Sequence, residues 1–173
     1  MPLTQSLDRY ARMVVRELHA PTGLVSVVEP GKDRQRFPGA AGLRPDLEAV
    51  RETPLTHSFC QYVVRDEAPL IISDARLDPR VAANPAVEEY EIMAYAGYPL
   101  VDISGKVVGS VCAIDSVPRE WTEADLSALA DLAQATSAEV VSRQLHLRLD
   151  LMRVALVTLV LVLLMLSLAL YAV

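Results

Sequence analysis

Residues 93–115 read MAYAGYPLVDISGKVVGSVCAID. Two runs, Met93 to Val101 and Lys106 to Asp115, flank Ile103-Ser104-Gly105, so the stretch predicts two antiparallel strands joined by a turn. The second run alternates Val107, Gly109, Val111 and Ala113 with Val108, Ser110, Cys112 and Ile114. Both sets are largely apolar or small, which places this strand centrally in a sheet that is covered on both faces.

Moving towards the N-terminus, Ala86 to Ile92 has room for one or two helical turns and Asp74 to Pro85 reads as a loop. Leu70-Ile71-Ile72 is a buried strand after Pro69. Thr56 or Ser58 caps a short helix through Phe59, Tyr62 and Val63. Gly42 to Pro54 is polar and punctuated by proline, and reads as a connection. Strands at Leu24 to Glu29 and Gln35 to Ala40 enclose a turn at Pro30-Gly31-Lys32-Asp33. From Thr4 to His19, Leu7, Tyr10, Val14 and Leu18 recur at helical spacing, and Pro21 and Gly23 end that helix.

Towards the C-terminus, Thr122-Glu123-Ala124-Asp125 resembles a capping box with Asp in place of Glu or Gln, and Trp121 stands where a hydrophobic staple would meet Leu126. Leu126, Leu129, Ala133, Thr136, Val140, Leu147 and Leu151 continue a helical stripe that Gln144 interrupts. Neither glycine nor proline follows Thr122, so the helix is expected to run unbroken into VALVTLVLVLLMLSLALYAV, residues 154–173. Twenty uncharged residues at about 1.5 Å each match the roughly 30 Å of a bilayer core. Arg143, Arg148 and Arg153 precede the run, which predicts a C-terminal anchor with the preceding domain on the cytoplasmic side of a bacterial inner membrane. No secretory signal stands at the N-terminus.

The formal net charge is −6, and lysine occurs only at Lys32 and Lys106. That acidic balance argues against nucleic acid as a partner. Two cysteines without a framework fit a reducing compartment. With the C-terminal apolar run set aside, the remaining chain is long enough for one domain with a core of its own.

An ordered series of short motifs narrows the fold class. Ser58-Phe59-Cys60-Gln61-Tyr62-Val63-Val64 is followed by Ala68-Pro69-Leu70-Ile71-Ile72, Asp74-Ala75-Arg76, Asp78-Pro79-Arg80 and Asn84-Pro85-Ala86-Val87. Then come Tyr95-Ala96-Gly97-Tyr98-Pro99-Leu100, Gly109-Ser110-Val111-Cys112-Ala113-Ile114-Asp115 and Pro118-Arg119. The series resembles the GAF domains of bacterial sensor kinases, cyclic-dinucleotide enzymes and related signalling proteins. The resemblance implies an α+β fold with a central antiparallel sheet, terminal helices on one face and a ligand pocket on the other. It also implies a parallel homodimer through the terminal helices. The expected organisation is a GAF-like sensor domain over 4–144, a helical juxtamembrane linker over 145–153 and a transmembrane helix over 154–173. No catalytic output segment is seen, so the chain is expected to act as a non-enzymatic sensory module, with a signalling protein or a small molecule as its partner. The cofactor, if one exists, is not identifiable.

On this reading the pocket is lined by His57, Cys60 and Tyr62 from the short helix, Asp74 and Tyr90 from the following loop region, and Tyr95 and Cys112 from the sheet. Tyr90 and Tyr95 offer an aromatic wall and a hydroxyl. The alternative is a pocket filled by these same side chains, leaving an interaction module that recruits a signalling enzyme. Cys60, in the first turn of its helix and three residues after His57, suggests a Cys–His pair for redox sensing, against the plainer reading of a buried core thiol. The methionine sulfoxide reductases of the resembled family rely on a cysteine in the region occupied by Leu77 to Ala86, where this chain has none. The cysteine–histidine dipeptide that attaches bilins is absent, as is the asparagine–lysine element of cyclic-nucleotide-binding relatives. His19, His57 and His146 lack metal-ligand spacing, and Glu88, Glu89 and Glu91 read as a solvated face.

Overall fold

A computed structural model describes the backbone of residues 3–171 and the side chains of residues 7–165 and 167. The elements run α1 (Leu3–Leu18), β1 (Thr22–Glu29), β2 (Arg34–Ala41), α2 (Pro45–Val50), β3 (Glu52–Pro54), α3 (Cys60–Asp66), β4 (Leu70–Ile72), α4 (Ala86–Glu89), β5 (Ala94–Val101), β6 (Val107–Asp115) and α5 (Glu123–Tyr171). Single turns of 3₁₀ helix at Pro30–Lys32 and Leu55–His57 punctuate the chain.

The strands form one six-stranded sheet in the order β3-β2-β1-β6-β5-β4, with every neighbouring pair antiparallel. The β5–β6 hairpin forms as its sequence predicts, and β6 is central. Asp102 closes the turn, its Oδ1 accepting the Ser104 N–H and hydroxyl at 2.8 and 2.6 Å and the Lys106 N–H at 3.2 Å. Because side chains alternate along a strand, β6 divides the core in two. Val111 and Ala113 face α1 and α5, where Leu7, Val14, Leu18, Leu100, Trp121, Leu129 and Leu132 pack. Cys112 faces the opposite layer, built from Leu24, Phe37, Phe59, Val63, Ile72, Val81, Val87 and Tyr95.

The connection expected between Gly42 and Pro54 contains two elements, α2 and β3. Pro45 opens α2 at a position where a missing N–H costs nothing. None of its residues is buried, so no apolar stripe advertises it. Strand β3 is an edge of three residues, too short to show alternation. Between Val25 and Val27 the register of β1 against β2 shifts, with Gly39 and Arg36 opposite them. The extra residue in β2 is a bulge, and it turns Phe37 towards one layer while Arg36 and Pro38 face the other.

Helix α1 is pinned to the sheet by Asp8, whose Oδ1 accepts the Ala40 N–H at 2.9 Å and Arg51 Nη1 at 2.7 Å. The N-terminus of α5 carries the capping box its sequence signals. Asp125 N–H donates to Thr122 Oγ1 at 3.1 Å, and Asp125 Oδ2 accepts the Thr122 N–H at 3.0 Å and hydroxyl at 2.9 Å. Trp121 and Leu126 meet in the same apolar layer, and the indole N–H donates to Ile72 O at 3.0 Å. Gln144 has a structural purpose: its Oε1 accepts the Ile103 N–H at 2.9 Å, and Ser137 Oγ accepts Val101 N–H at 3.1 Å. These bonds fasten α5 to β5 and the hairpin turn.

Beyond Gln144, α5 leaves the domain. Leu147, Leu151, Val154, Leu159 and Met165 are all more than half exposed. Among the described residues no helix is long and apolar enough to cross a membrane, so the span expected over 154–173 is not supported by them. Part of that run, the side chains of 166 and 168–173, lies outside the described residues.

Burial pushes the Asp125 carboxyl up, but the Thr122 N–H and hydroxyl and the Arg119 guanidinium outweigh it and hold the group below the usual carboxylate range. A lowered folded-state value contributes stability above about pH 4, lost as pH falls through the folded value. Thr122→Ala is therefore expected to lower stability by about 1 kcal/mol near neutral pH. In thermal melts the gap from the native protein should narrow as the buffer is taken below about pH 4.

Candidate ligand pocket

A cavity of about 330 Å³ opens on the face of the sheet away from α1 and α5. Its floor is sheet: Thr22 and Leu24 of β1, Gln35 and Phe37 of β2, Thr53 of β3, Tyr95 of β5 and Ile114 of β6. Phe59 and Cys60 close one side, and the chain around Leu43, Arg44, Leu47, His57, Tyr90 and Ile92 forms the mouth. The size is that of a small-molecule site, and the lining is mostly apolar with a few polar groups.

Through the floor runs a buried polar chain. Gln35 Nε2 donates to Thr53 Oγ1 at 2.8 Å, while Gln35 Oε1 accepts the hydroxyls of Ser58 at 2.6 Å and Ser26 at 3.3 Å. Ser58 Oγ also accepts the Gln61 N–H at 3.0 Å and so caps α3, as its sequence position suggests. One glutamine thus joins β1, β2, β3 and the start of α3. Among the described residues no buried side-chain nitrogen or oxygen is left without a partner.

A second buried cluster centres on Tyr95. Its ring packs on Phe59 at 5.5 Å, and its hydroxyl lies 3.4 Å from Cys60 Sγ and 3.1 Å from Ser110 Oγ. Burial, and the two neighbouring sulfurs after it, raise the phenol well above its ordinary range, so it stays a donor. Gly97 lies two residues on along the same face of β5. A Cβ there would come within 2.2 Å of the Tyr95 oxygen, which explains glycine at that position. The Cys60 thiol is drawn down by its hydrogen bond with Cys112; burial opposes this, and bonds from Ser110, Ser26 and Tyr95 reinforce it. Cys112 moves up for the complementary reason, its contact with Cys60 and its burial.

His57 does not pair with Cys60. Its Nε2 meets Glu89 Oε2 at 3.0 Å and its Nδ1 meets Thr56 Oγ1 at 3.0 Å, with the Tyr90 ring 5.4 Å away. Glu89 also accepts Arg44 Nη1 on its backbone oxygen at 3.0 Å. Glu89 is therefore the clasp of a strap across the cavity mouth, holding the segment before α2 and the turn before α3 together. Its sequence reading as part of a solvated face misses this, because both partners are remote in sequence.

Of the expected pocket residues, His57, Cys60, Tyr90 and Tyr95 line the cavity. Cys112 lies in the layer behind Cys60 and does not line it. Tyr62 points to another part of the surface, where it lies beneath the Arg65 guanidinium and lines a depression with Val28, Leu55 and Val64. Asp74 serves the loop instead: its carboxylate, held low by Arg76, accepts the Arg76 N–H and guanidinium. Gln35, Phe37, Thr53 and Arg44 escaped the sequence reading. The β2 bulge hides Phe37, the remote partners of Gln35 hide that residue, and the brevity of β3 and α2 hides the others. Among the described residues no three His, Cys, Asp or Glu side chains form a group able to hold a metal ion.

The family profile of the GAF domain matches residues 2–140. A cyclic di-GMP phosphodiesterase of Pseudomonas aeruginosa is 36% identical over 122 residues, 69% of this chain. The chain spans about a fifth (20%) of that relative's length. The fold is similar to that of the GAF domain of a Coxiella burnetii phosphoenolpyruvate-protein phosphotransferase, with a TM-score of 0.67 at 18% identity over 86% of this chain and 85% of the other. It is also similar to a Neisseria meningitidis free methionine-R-sulfoxide reductase solved with its substrate, with a TM-score of 0.64 at 15% identity, covering 82% of this chain and 80% of that one.

Replacing Gln35 by Leu strands the buried hydroxyls of Ser58 and Thr53. The expected loss is about 1–3 kcal/mol, read as a fall in the urea midpoint. A Gln35→Leu protein as stable as the native one would contradict the role given to this side chain.

Proposed function

The chain belongs to the GAF domain family, and from that premise we propose that it is a non-enzymatic sensory module that binds a small, largely apolar molecule. The supporting observation is the cavity of about 330 Å³ beside Phe37, Phe59 and Tyr95, which packing has not filled. Leu24, Phe37, Phe59 and Ile92 suit a flat apolar body, while Thr53, Gln35 and the mouth residues Arg44 and His57 offer hydrogen bonds to a polar end. Closure of the Arg44–Glu89–His57 strap would then depend on occupancy. The sensory module acts as a homodimer through α1 and α5 on this reading.

The proposed location is a membrane surface, with the domain over 4–144 carried by the linker over 145–153 and anchored by the apolar run at 154–173. Its support is the continuous α5 and the exposure of its aliphatic side chains from Val154 to Met165. Exposed aliphatics along several turns of one helix need either lipid or a partner surface. On this reading a signalling protein responds to the state of the module. The phosphodiesterase relative suggests a cyclic-dinucleotide enzyme as that partner.

Native mass spectrometry of the full chain, released from detergent after purification from membranes, tests the binding reading. A small molecule that dissociates on denaturation is expected. A chain that emerges empty from every preparation, and whose melting point no cellular extract raises, favours the ligand-free interaction module. Extraction of membranes with alkaline carbonate tests the anchor: the chain is expected to stay in the pellet, and its release would remove the span.

A further inference from the structure

We infer that the cavity selects an uncharged molecule that enters with a hydrogen-bond acceptor foremost, a carbonyl or an aromatic ring nitrogen, and that Gln35 and Thr53 receive it. The inference rests on the reading of the cavity as a binding site and adds the chemical class of its occupant.

The assignment follows from the protons of this pair. Gln35 and Thr53 stand directly opposite each other on β2 and β3, and both line the cavity floor. They are only 6% and 4% exposed, so neither can turn to bulk solvent for a partner. A primary amide has two acceptor sites on its oxygen and two protons on its nitrogen. Both oxygen sites of Gln35 are filled, by the hydroxyls of Ser58 at 2.6 Å and Ser26 at 3.3 Å. The nitrogen gives one proton to Thr53 Oγ1 at 2.8 Å. Thr53 accepts that bond and keeps its own hydroxyl proton. Among the described residues nothing accepts that proton or the second amide proton. Two neighbouring buried donors are thus unspent at the wall of the cavity. Leaving such donors without an acceptor costs free energy, so they favour an occupant that brings a lone pair.

The rest of the lining sets charge and shape. The Tyr95 hydroxyl is engaged with Cys60 and Ser110 and does not compete for the occupant. Phe37 and Phe59 offer apolar surface to its body. The charged lining residues Arg44 and Glu91 belong to the chain at the mouth, and no cation stands beside Gln35 and Thr53 in the floor. A carboxylate driven to the floor would lose its hydration with no counter-charge. An ammonium end would set donor against donor. A carbonyl or ring nitrogen needs only the two protons that are available.

Three bicyclic probes test this on the full chain in detergent. They are 1-indanone, 1-methyleneindane, in which a CH₂ group replaces the oxygen, and indane-1-carboxylate. Free probe concentrations are fixed by dialysis against the same detergent. In amide NMR spectra of the isotope-labelled native protein, 1-indanone is expected to shift a Gln35 side-chain proton downfield, which 1-methyleneindane does not. Thr53→Val keeps the side-chain shape and removes the hydroxyl. It is expected to weaken 1-indanone relative to 1-methyleneindane by about fivefold, a ratio in which any general loss of packing cancels. An unchanged ratio, or the same Gln35 response to both probes, would overturn the inference while leaving the cavity a binding site. Tighter binding of indane-1-carboxylate than of 1-indanone would overturn it too, by moving recognition to Arg44. If none of the three binds saturably, the inference falls together with the binding reading beneath it. Should Thr53→Val fold poorly, the Gln35 response of the native protein decides.

Discussion

The Tyr95 ring lies along β5 over Gly97, with no space for a Cβ beneath it, and its hydroxyl touches α3 at Cys60 and β6 at Ser110. That placement fixes how α3 sits on the sheet. With α3 set, Phe59 and Cys60 become a wall, Ser58 reaches Gln35, and the chain through His57 arrives beside Glu89. The cavity is what remains between this wall and the α2 segment. A buried phenol with two polar partners is costly to move, because each lost bond leaves a group unsatisfied in a low-dielectric interior. The same residue therefore supports the fold and borders the site.

The two faces of the sheet are built differently. Against α1 and α5 the packing is tight enough for backbone to approach Cα directly: a Cβ on Gly23 would meet Ala11 O at 2.4 Å. On the other face short elements, several of them a single turn, bridge the sheet around the cavity; at the far end of the α1 and α5 face Leu7, Leu100, Val140 and Leu147 border a second depression of about 360 Å³. Any effect of cavity occupancy on α5 must pass through β5 and β6, to which Ser137 and Gln144 fasten the helix. Such coupling requires two arrangements with different affinity for the occupant. The clasp at Glu89 is the element best suited to have two, since it is surface-exposed and held by a few side-chain bonds.

Long periodic elements are legible in the sequence, and short ones that depend on remote partners are not. α1, the β5–β6 hairpin and the capped start of α5 follow from spacing and turn chemistry alone. So does the division of the core, because both faces of β6 are apolar or small. By contrast α2 has no buried face and β3 pairs through only three residues, so neither carries a pattern. Motif order in the sequence places Cys60 and Tyr95 near a pocket. Gln35 carries no such signal, since its role is set by Ser26, Thr53 and Ser58, partners 9 to 23 residues away. Glu89 joins His57 across 32 residues, a relation that no local pattern encodes.

The central claim is that the cavity is a working site whose cover opens, while the sheet and terminal helices remain a rigid frame. Hydrogen exchange on the ligand-free full chain tests it most directly, because amide protection reports local opening. The account predicts fast exchange across α2, α4 and residues 89–92, with β1, β6 and the Thr122 to Gln144 part of α5 protected to near the global limit. Equal protection of the strap and the central strands would mean that the cavity stays shut, and would contradict it.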